Sequence, residues 1–160
     1  MKSPERQFAA FMAKYSPEIG RLAEEALEKM RALVPGAVEM VYDNYNALVV
    51  GFGPTERASE AILSIVLYPR WVTLFFLRGA TLPDPQKLLR GSGRIVRHIV
   101  LNDSADLHAP AVRALITRAL DRAATRPDPR NPSRMVIKSV AAKQRPRRPR
   151  ATSRNPTPRA

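Results

Sequence analysis

With 160 residues, 44% of them hydrophobic, the chain is long enough for one domain of ordinary size that needs no covalent staples. It has no Cys, which excludes disulfides, thiolate metal sites and cysteine catalysis together. The net charge of +13 is unevenly placed: residues 1–124 hold 16 Lys and Arg against 13 acids, a net of +3, and residues 125–160 hold 11 against one, a net of +10.

Met1-Lys-Ser-Pro-Glu-Arg6 has no apolar h-region and no small-residue cleavage site, so no secretion and a cytoplasmic location are expected. Ser3-Pro4 is a cap followed by a first helical position, because Pro at N1 gives up no hydrogen bond. Phe8, Phe11, Met12 and Tyr15 then form an apolar stripe. Ser16-Pro17 repeats the start signal. Ile19, Leu22, Ala23, Ala26, Leu27, Met30, Leu33 and Val34 keep a helical period as far as Pro35-Gly36, which stops it.

Ala37–Tyr42 and Ala47–Phe52 read as a β-hairpin turning at Asp43–Asn46. Gly53–Ser59 is a loop. Ala61–Tyr68 is a strand that Pro69-Arg70 turns into Trp71–Arg78. Within that strand Trp71–Leu77 is apolar at six of seven positions, a run buried on both faces and far short of the roughly 20 residues that span a bilayer. Leu82–Arg90 is expected to lead into one or two helical turns ended by Gly91-Ser-Gly93, with Arg94–Leu101 a further strand. Asn102–His108 is a loop. Pro110 opens a last helix with the stripe Val112, Leu115, Ile116, Ala119, Leu120 and Ala123.

Strands joined by tight connections give an antiparallel sheet. The expected fold is an α+β two-layer sandwich, mainly an antiparallel sheet of about five strands covered by N- and C-terminal helices over residues 1–124. From Thr125 the character changes: seven Pro and 11 basic residues fall in the last 36 positions. Such a segment buries too little to offset its ordering entropy, so 125–160 is expected to be a disordered basic tail. Met135–Val140 is its one β-like or helical exception.

Tyr15-Ser-Pro-Glu-Ile19, Val34-Pro-Gly-Ala-Val-Glu39, Leu67-Tyr-Pro69, Leu74-Phe-Phe76, Gly79-Ala80, Asp84-Pro85, Leu88-Leu-Arg-Gly91, Gly93 and Arg97-His-Ile99 follow one another in an order that resembles the YdhG-like family of small bacterial domains of unknown function. The similarity runs over about residues 10–123. It implies a compact sandwich similar to frataxin and a proposed iron-chaperone role; it does not imply a catalytic site, since none is established for the family. Frataxins carry a dense acidic ridge, whereas the first long helix here mixes Glu24, Glu25 and Glu28 with Arg21, Lys29 and Arg31.

Four groups of residues are candidate sites. Glu24 and Glu28, one helical turn apart, with Glu39 and Asp43 in the next strand region, are a possible hard-cation set, iron being the cofactor in that alternative and none being expected otherwise. The opposing reading is a solvated helix face with ordinary i, i+4 pairs. Arg94, Arg97 and His98 beside the Gly91–Gly93 turn are a candidate anion site, set against a simple helix cap and strand start. His98 reads more simply as a satisfied, half-buried strand residue. The hairpin tyrosines Tyr42 and Tyr45 suit a binding mouth, whereas Trp71 suits the core.

Lys143–Arg150 holds five cations in eight residues, with Arg145, Arg147, Arg148 and Arg150 the expected polyanion contacts. It resembles the minor-groove hook built on Pro-Arg-Gly-Arg-Pro but lacks the central Gly. A solubilising tail or a contact with anionic lipid is the other reading. No Gly-x-Ser-x-Gly elbow or other catalytic motif is present in the sequence. The expected function is a non-enzymatic binding domain with a tail that binds nucleic acid or another polyanion non-specifically, and with room for a protein partner. A frataxin-like iron handler is the alternative, and an enzyme working at Arg94, Arg97 and His98 is the least favoured reading.

Overall fold

The structure, a computed structural model, describes residues 2–149. Helix α1 (Pro4–Met12) and helix α2 (Pro17–Leu33) both begin as their sequences dictate. Ser3 Oγ accepts from the Arg6 amide and Ser16 Oγ from the Ile19 amide, each with Pro at the first helical position. Helix α2 ends at Val34-Pro-Gly36. Gly36 is required there: its φ is +82°, and a Cβ at this position would run into the Asp128 carbonyl.

Strands β1 (Val38–Asp43), β2 (Leu48–Gly53), β3 (Leu63–Leu67), β4 (Val72–Phe76) and β5 (Arg97–Leu101) pair in sequence, all antiparallel. The α+β class and the mainly antiparallel sheet are as expected. The sheet has a sixth strand, however, in the order β5-β4-β3-β2-β1-β6. Strand β6 (Arg134–Val140) lies parallel to β1, with a register shift between Val41 and Tyr42. It follows helix α3 (Pro110–Arg122).

Register assigns the two faces. Ile99, Leu74, Ile65, Val50, Val41 and Ile137 form one cross-strand row, and Phe76, Leu63, Phe52 and Met135 belong to a neighbouring row on the same face. These residues make one core with Phe8, Met12, Ile19, Leu27, Met30, Leu115 and Ile116, so the three helices cover this face. The other face carries Val100, Thr73, Val66, Val49 and Tyr42, then His98, Phe75, Ser64, Gly51 and Met40. Part of it is crossed by the 54–61 loop. A Cβ at Gly53 would lie 3.1 Å from the Ala61 Cα and the Glu60 carbonyl.

Two expectations are corrected. Residues 82–90 form no helix, because Asp84 accepts from the Leu88 and Leu89 amides at 2.9 Å each while Lys87 takes a left-handed φ of 54°. That local carboxylate turn replaces the helical bonds. The expected boundary at Thr125 also fails, because residues 125–149 are built onto the domain. Asp128 packs against Gly36, β6 occupies the free edge of β1, and Met135 and Ile137 pack on the core. An open β1 edge with apolar residues beside it is a template for one more strand, and β6 supplies it. The disorder expected of 150–160, and the assignment of Arg150, lie outside the described residues.

Candidate functional site

After β6 the chain crosses one end of the sheet as a strap, residues 141–149, tied to three elements. The Ala141 amide donates to the Asp43 carbonyl at 2.8 Å, and the Arg145 amide donates to the Tyr45 carbonyl at 2.9 Å. Gln144 Nε2 donates to the Asp43 carbonyl at 3.1 Å, and its Oε1 accepts from Lys14 Nζ at 3.3 Å. Arg148 Nε donates to the Lys14 carbonyl at 3.2 Å, which fastens the strap to the corner between α1 and α2.

The strap is anchored by Arg147, only 4% exposed. Its Nη2 reaches Asp43 Oδ1 at 2.8 Å and also donates to the Asn44 carbonyl, while Nη1 donates to the Tyr45 carbonyl at 3.3 Å. The guanidinium lies 5.7 Å from the centre of the Tyr15 ring. Burial pushes the Tyr15 phenol up to about 12 although Arg147 beside it pulls downward, and the hydroxyl donates to the Leu67 carbonyl at 3.1 Å. Asp43 Oδ2 and Arg147 Nε are buried with no partner among the described residues. Arg147 is therefore a structural cation and not a free polyanion contact, a correction to its expected role.

Its neighbours Lys14, Lys143, Arg145 and Arg148 are exposed, and among the described residues no carboxylate lies within ion-pair distance of them, although Arg148 also donates to the Lys14 and Ala13 carbonyls and Lys14 to Gln144. The Arg145 side chain donates to Asn46 Oδ1 at 3.4 Å, its one side-chain hydrogen bond among the described residues. One buried arginine thus holds a strap with three exposed cations, Lys143, Arg145 and Arg148, beside Lys14 of the α1–α2 corner.

The same end carries aromatic surface. The β1–β2 turn presents Tyr45, 48% exposed, and the β3–β4 turn presents Trp71, 46% exposed. Tyr68 and Trp71 pack as a tilted pair, 41° between the ring planes and 5.6 Å between centroids. They continue the Val66 and Thr73 positions on the face opposite the helices, which is why Trp71 is not in the core as its sequence suggested. Arg70, between them, is exposed.

The other sequence candidates are not assembled. Arg97 belongs to the helix-covered row with Phe76, and its Nη1 donates to the Gly93 and Val96 carbonyls. His98 points to the opposite face and stacks on Phe75 at 5.4 Å, half-buried as the simpler reading expected. Arg94 is exposed in the preceding bend. The candidate anion site at Arg94, Arg97 and His98 is not assembled: Arg97 Cδ and His98 Nδ1 both lie within 3.6 Å of where a Gly91 Cβ would sit, but the Arg97 guanidinium is taken up by the Gly93 and Val96 carbonyls and Arg94 is exposed in the bend before β5.

The metal set is separated by ion pairing. Glu39 takes a bidentate contact from Arg31 at 2.8 and 3.0 Å, and Asp43 is held by Arg147. Glu24 and Glu28 are exposed on α2. Among the described residues no three His, Asp or Glu side chains come together as a metal site.

A cavity of about 350 Å³ lies between the sheet and α3, floored by Ile62, Phe76, Leu82 and Ala119, with Arg78 and Arg122 at its mouth. Among the described residues no helix is long and apolar enough to cross a membrane. Comparison with protein-family models, with curated proteins and with solved structures finds no match.

Lys14 carries no signal in the sequence, Arg70 reads there only as part of a turn, and Trp71 reads as core. The Pro69-Arg70 turn is the one local sign that this aromatic lies at the turn, just before β4, and not inside the strand.

Proposed function

We propose that the chain is a non-enzymatic binding domain for polyanions, with the strap and the α1–α2 corner as its contact surface. The burial of Arg147 on Asp43 carries this reading. It fixes a cationic segment onto a folded surface, where Lys14, Lys143, Arg145 and Arg148 are exposed with no acidic partner among the described residues. Pre-positioned cations lose less side-chain and backbone freedom on binding than the same residues on a random coil.

Cations of this kind bind phosphates by releasing counterions, so affinity falls steeply with salt. The test is fluorescence anisotropy with labelled oligonucleotides across a salt series. The variant Lys143→Ala/Arg145→Ala/Arg148→Ala is expected to flatten the log–log salt slope by about 2 to 3. An unchanged slope would overturn the reading.

A further inference from the structure

We infer that the polyanion is a single-stranded nucleic acid, with Trp71, Tyr68 and Tyr45 as its base-stacking platform; this rests on the polyanion reading above. Single strands are held by a cationic track for the backbone together with aromatic faces on which bases stack. Both halves are present at one end of this sheet.

Register places them together. Asp43, Leu48, Leu67, Val72 and Leu101 form the last cross-strand row, so the β1–β2 turn with Tyr45 and the β3–β4 turn with Tyr68 and Trp71 project from the same end. The two hairpins are centred two strand spacings apart, about 10 Å. The strap lies on the first of them: the Arg145 amide bonds the Tyr45 carbonyl and its guanidinium bonds Asn46. Arg70 sits on the second. Each turn thus carries one exposed ring and one exposed cation, Tyr45 with Arg145 bonded to its carbonyl and Trp71 with Arg70 before it in the chain.

Charge favours the same occupant. Asp43 is neutralised by Arg147, and the acids Asp103 and Asp106 lie at the opposite, β5 side of this end, away from the strap. The strap cations have no acid to pair with among the described residues. Duplex DNA shows only phosphate and groove edges and would leave the rings unused, whereas an unpaired base has a free face for each.

Trp71 is the only tryptophan in the chain, so its emission reports this platform alone. The full chain is titrated with oligo(dT), with the matching duplex, with heparin and with anionic phospholipid vesicles at one ionic strength. Oligo(dT) is expected to quench Trp71 saturably and to bind at least tenfold more tightly than the duplex. Trp71→Ala is expected to weaken oligo(dT) binding by about 5- to 140-fold, the range of one base–aromatic stack. Trp71→Phe should keep most of the affinity and lose the signal.

Equal binding of oligo(dT), duplex and heparin with unchanged Trp71 emission would overturn the stacking inference and leave the polyanion reading standing. Absence of binding to all of them would overturn both. A blue shift on vesicles alone would overturn the inference in favour of a lipid surface, where exposed Trp and Tyr also sit.

Discussion

The two arginine-rich segments at opposite edges of the sheet exchange the roles their sequences suggest. Gly91–His98 beside β5 has the composition of an anion cradle, yet the Arg97 guanidinium is consumed by the Gly93 and Val96 carbonyls and Arg90 pairs its backbone with His98. Arg134–Pro149 beside β1 has the composition of a disordered tail, yet it supplies a strand and a buried ion pair. The difference is what each segment finds beside it. The first meets unpaired carbonyls of its own loop, which take up its donors. The second meets an open strand edge and a buried carboxylate, which order its backbone and leave the remaining side chains in solvent.

Removing the second segment is the largest perturbation. Deleting residues 125–160 uncovers Met135 and Ile137's partners on the core and leaves the β1 edge unpaired beside Asp43. Loss of partly buried apolar contacts, a strand ladder and an ion pair together is expected to lower stability by several kcal/mol in urea unfolding. The exposed edge is also expected to drive association, read by size-exclusion chromatography. A truncated chain that stays monomeric and as stable as the full chain would restore the tail reading for residues 125–149.

Arg147→Ala is the next largest and separates anchor from strand. It leaves Asp43, fixed at the end of β1 and 1% exposed, without its cation. Removing one partner of a buried pair costs about 3–5 kcal/mol. Asp43→Ala is expected to cost less, since Arg147 rides on a strap that can swing into water whereas Asp43 cannot leave β1. Equal losses in the two variants would show that the strap does not release. Limited proteolysis after residues 141–149 distinguishes release from global unfolding.

The legibility of the chain follows the same contrast. Both N-terminal helices, their Ser-Pro starts, the hairpins and the last helix were readable because local signals and long-range packing agree there. Strand β6 was only half readable. Met135 and Ile137 alternate with Arg134, Val136 and Lys138, but seven residues between proline-rich arms carry little weight until a free edge is known to exist. The core assignment of Trp71 failed for a related reason. Its strand is buried on both faces from Val72 onward, and composition cannot say that the turn ends one residue later. Asp43 and Arg147, 104 residues apart, carry no sequence signal of their pairing at all.

The smallest effect expected is on pH dependence, at the ring beneath the anchor. Burial raises the Tyr15 phenol to about 12, above the ordinary value near 10 that it regains on unfolding. The unfolded chain therefore loses this proton first, and stability from the group is full below about pH 10 and is lost as pH rises toward about 12. Tyr42 and Tyr68 are also raised by burial and add to the slope in the same sense. Urea midpoints from pH ~9 to ~11.5 should fall in the full chain and fall less in Tyr15→Phe, whose baseline is lower by about 1 kcal/mol for the lost bond to the Leu67 carbonyl. Identical slopes in the two proteins would mean that the phenol is not held dry beneath Arg147, and that the strap is less firmly seated than its hydrogen bonds imply.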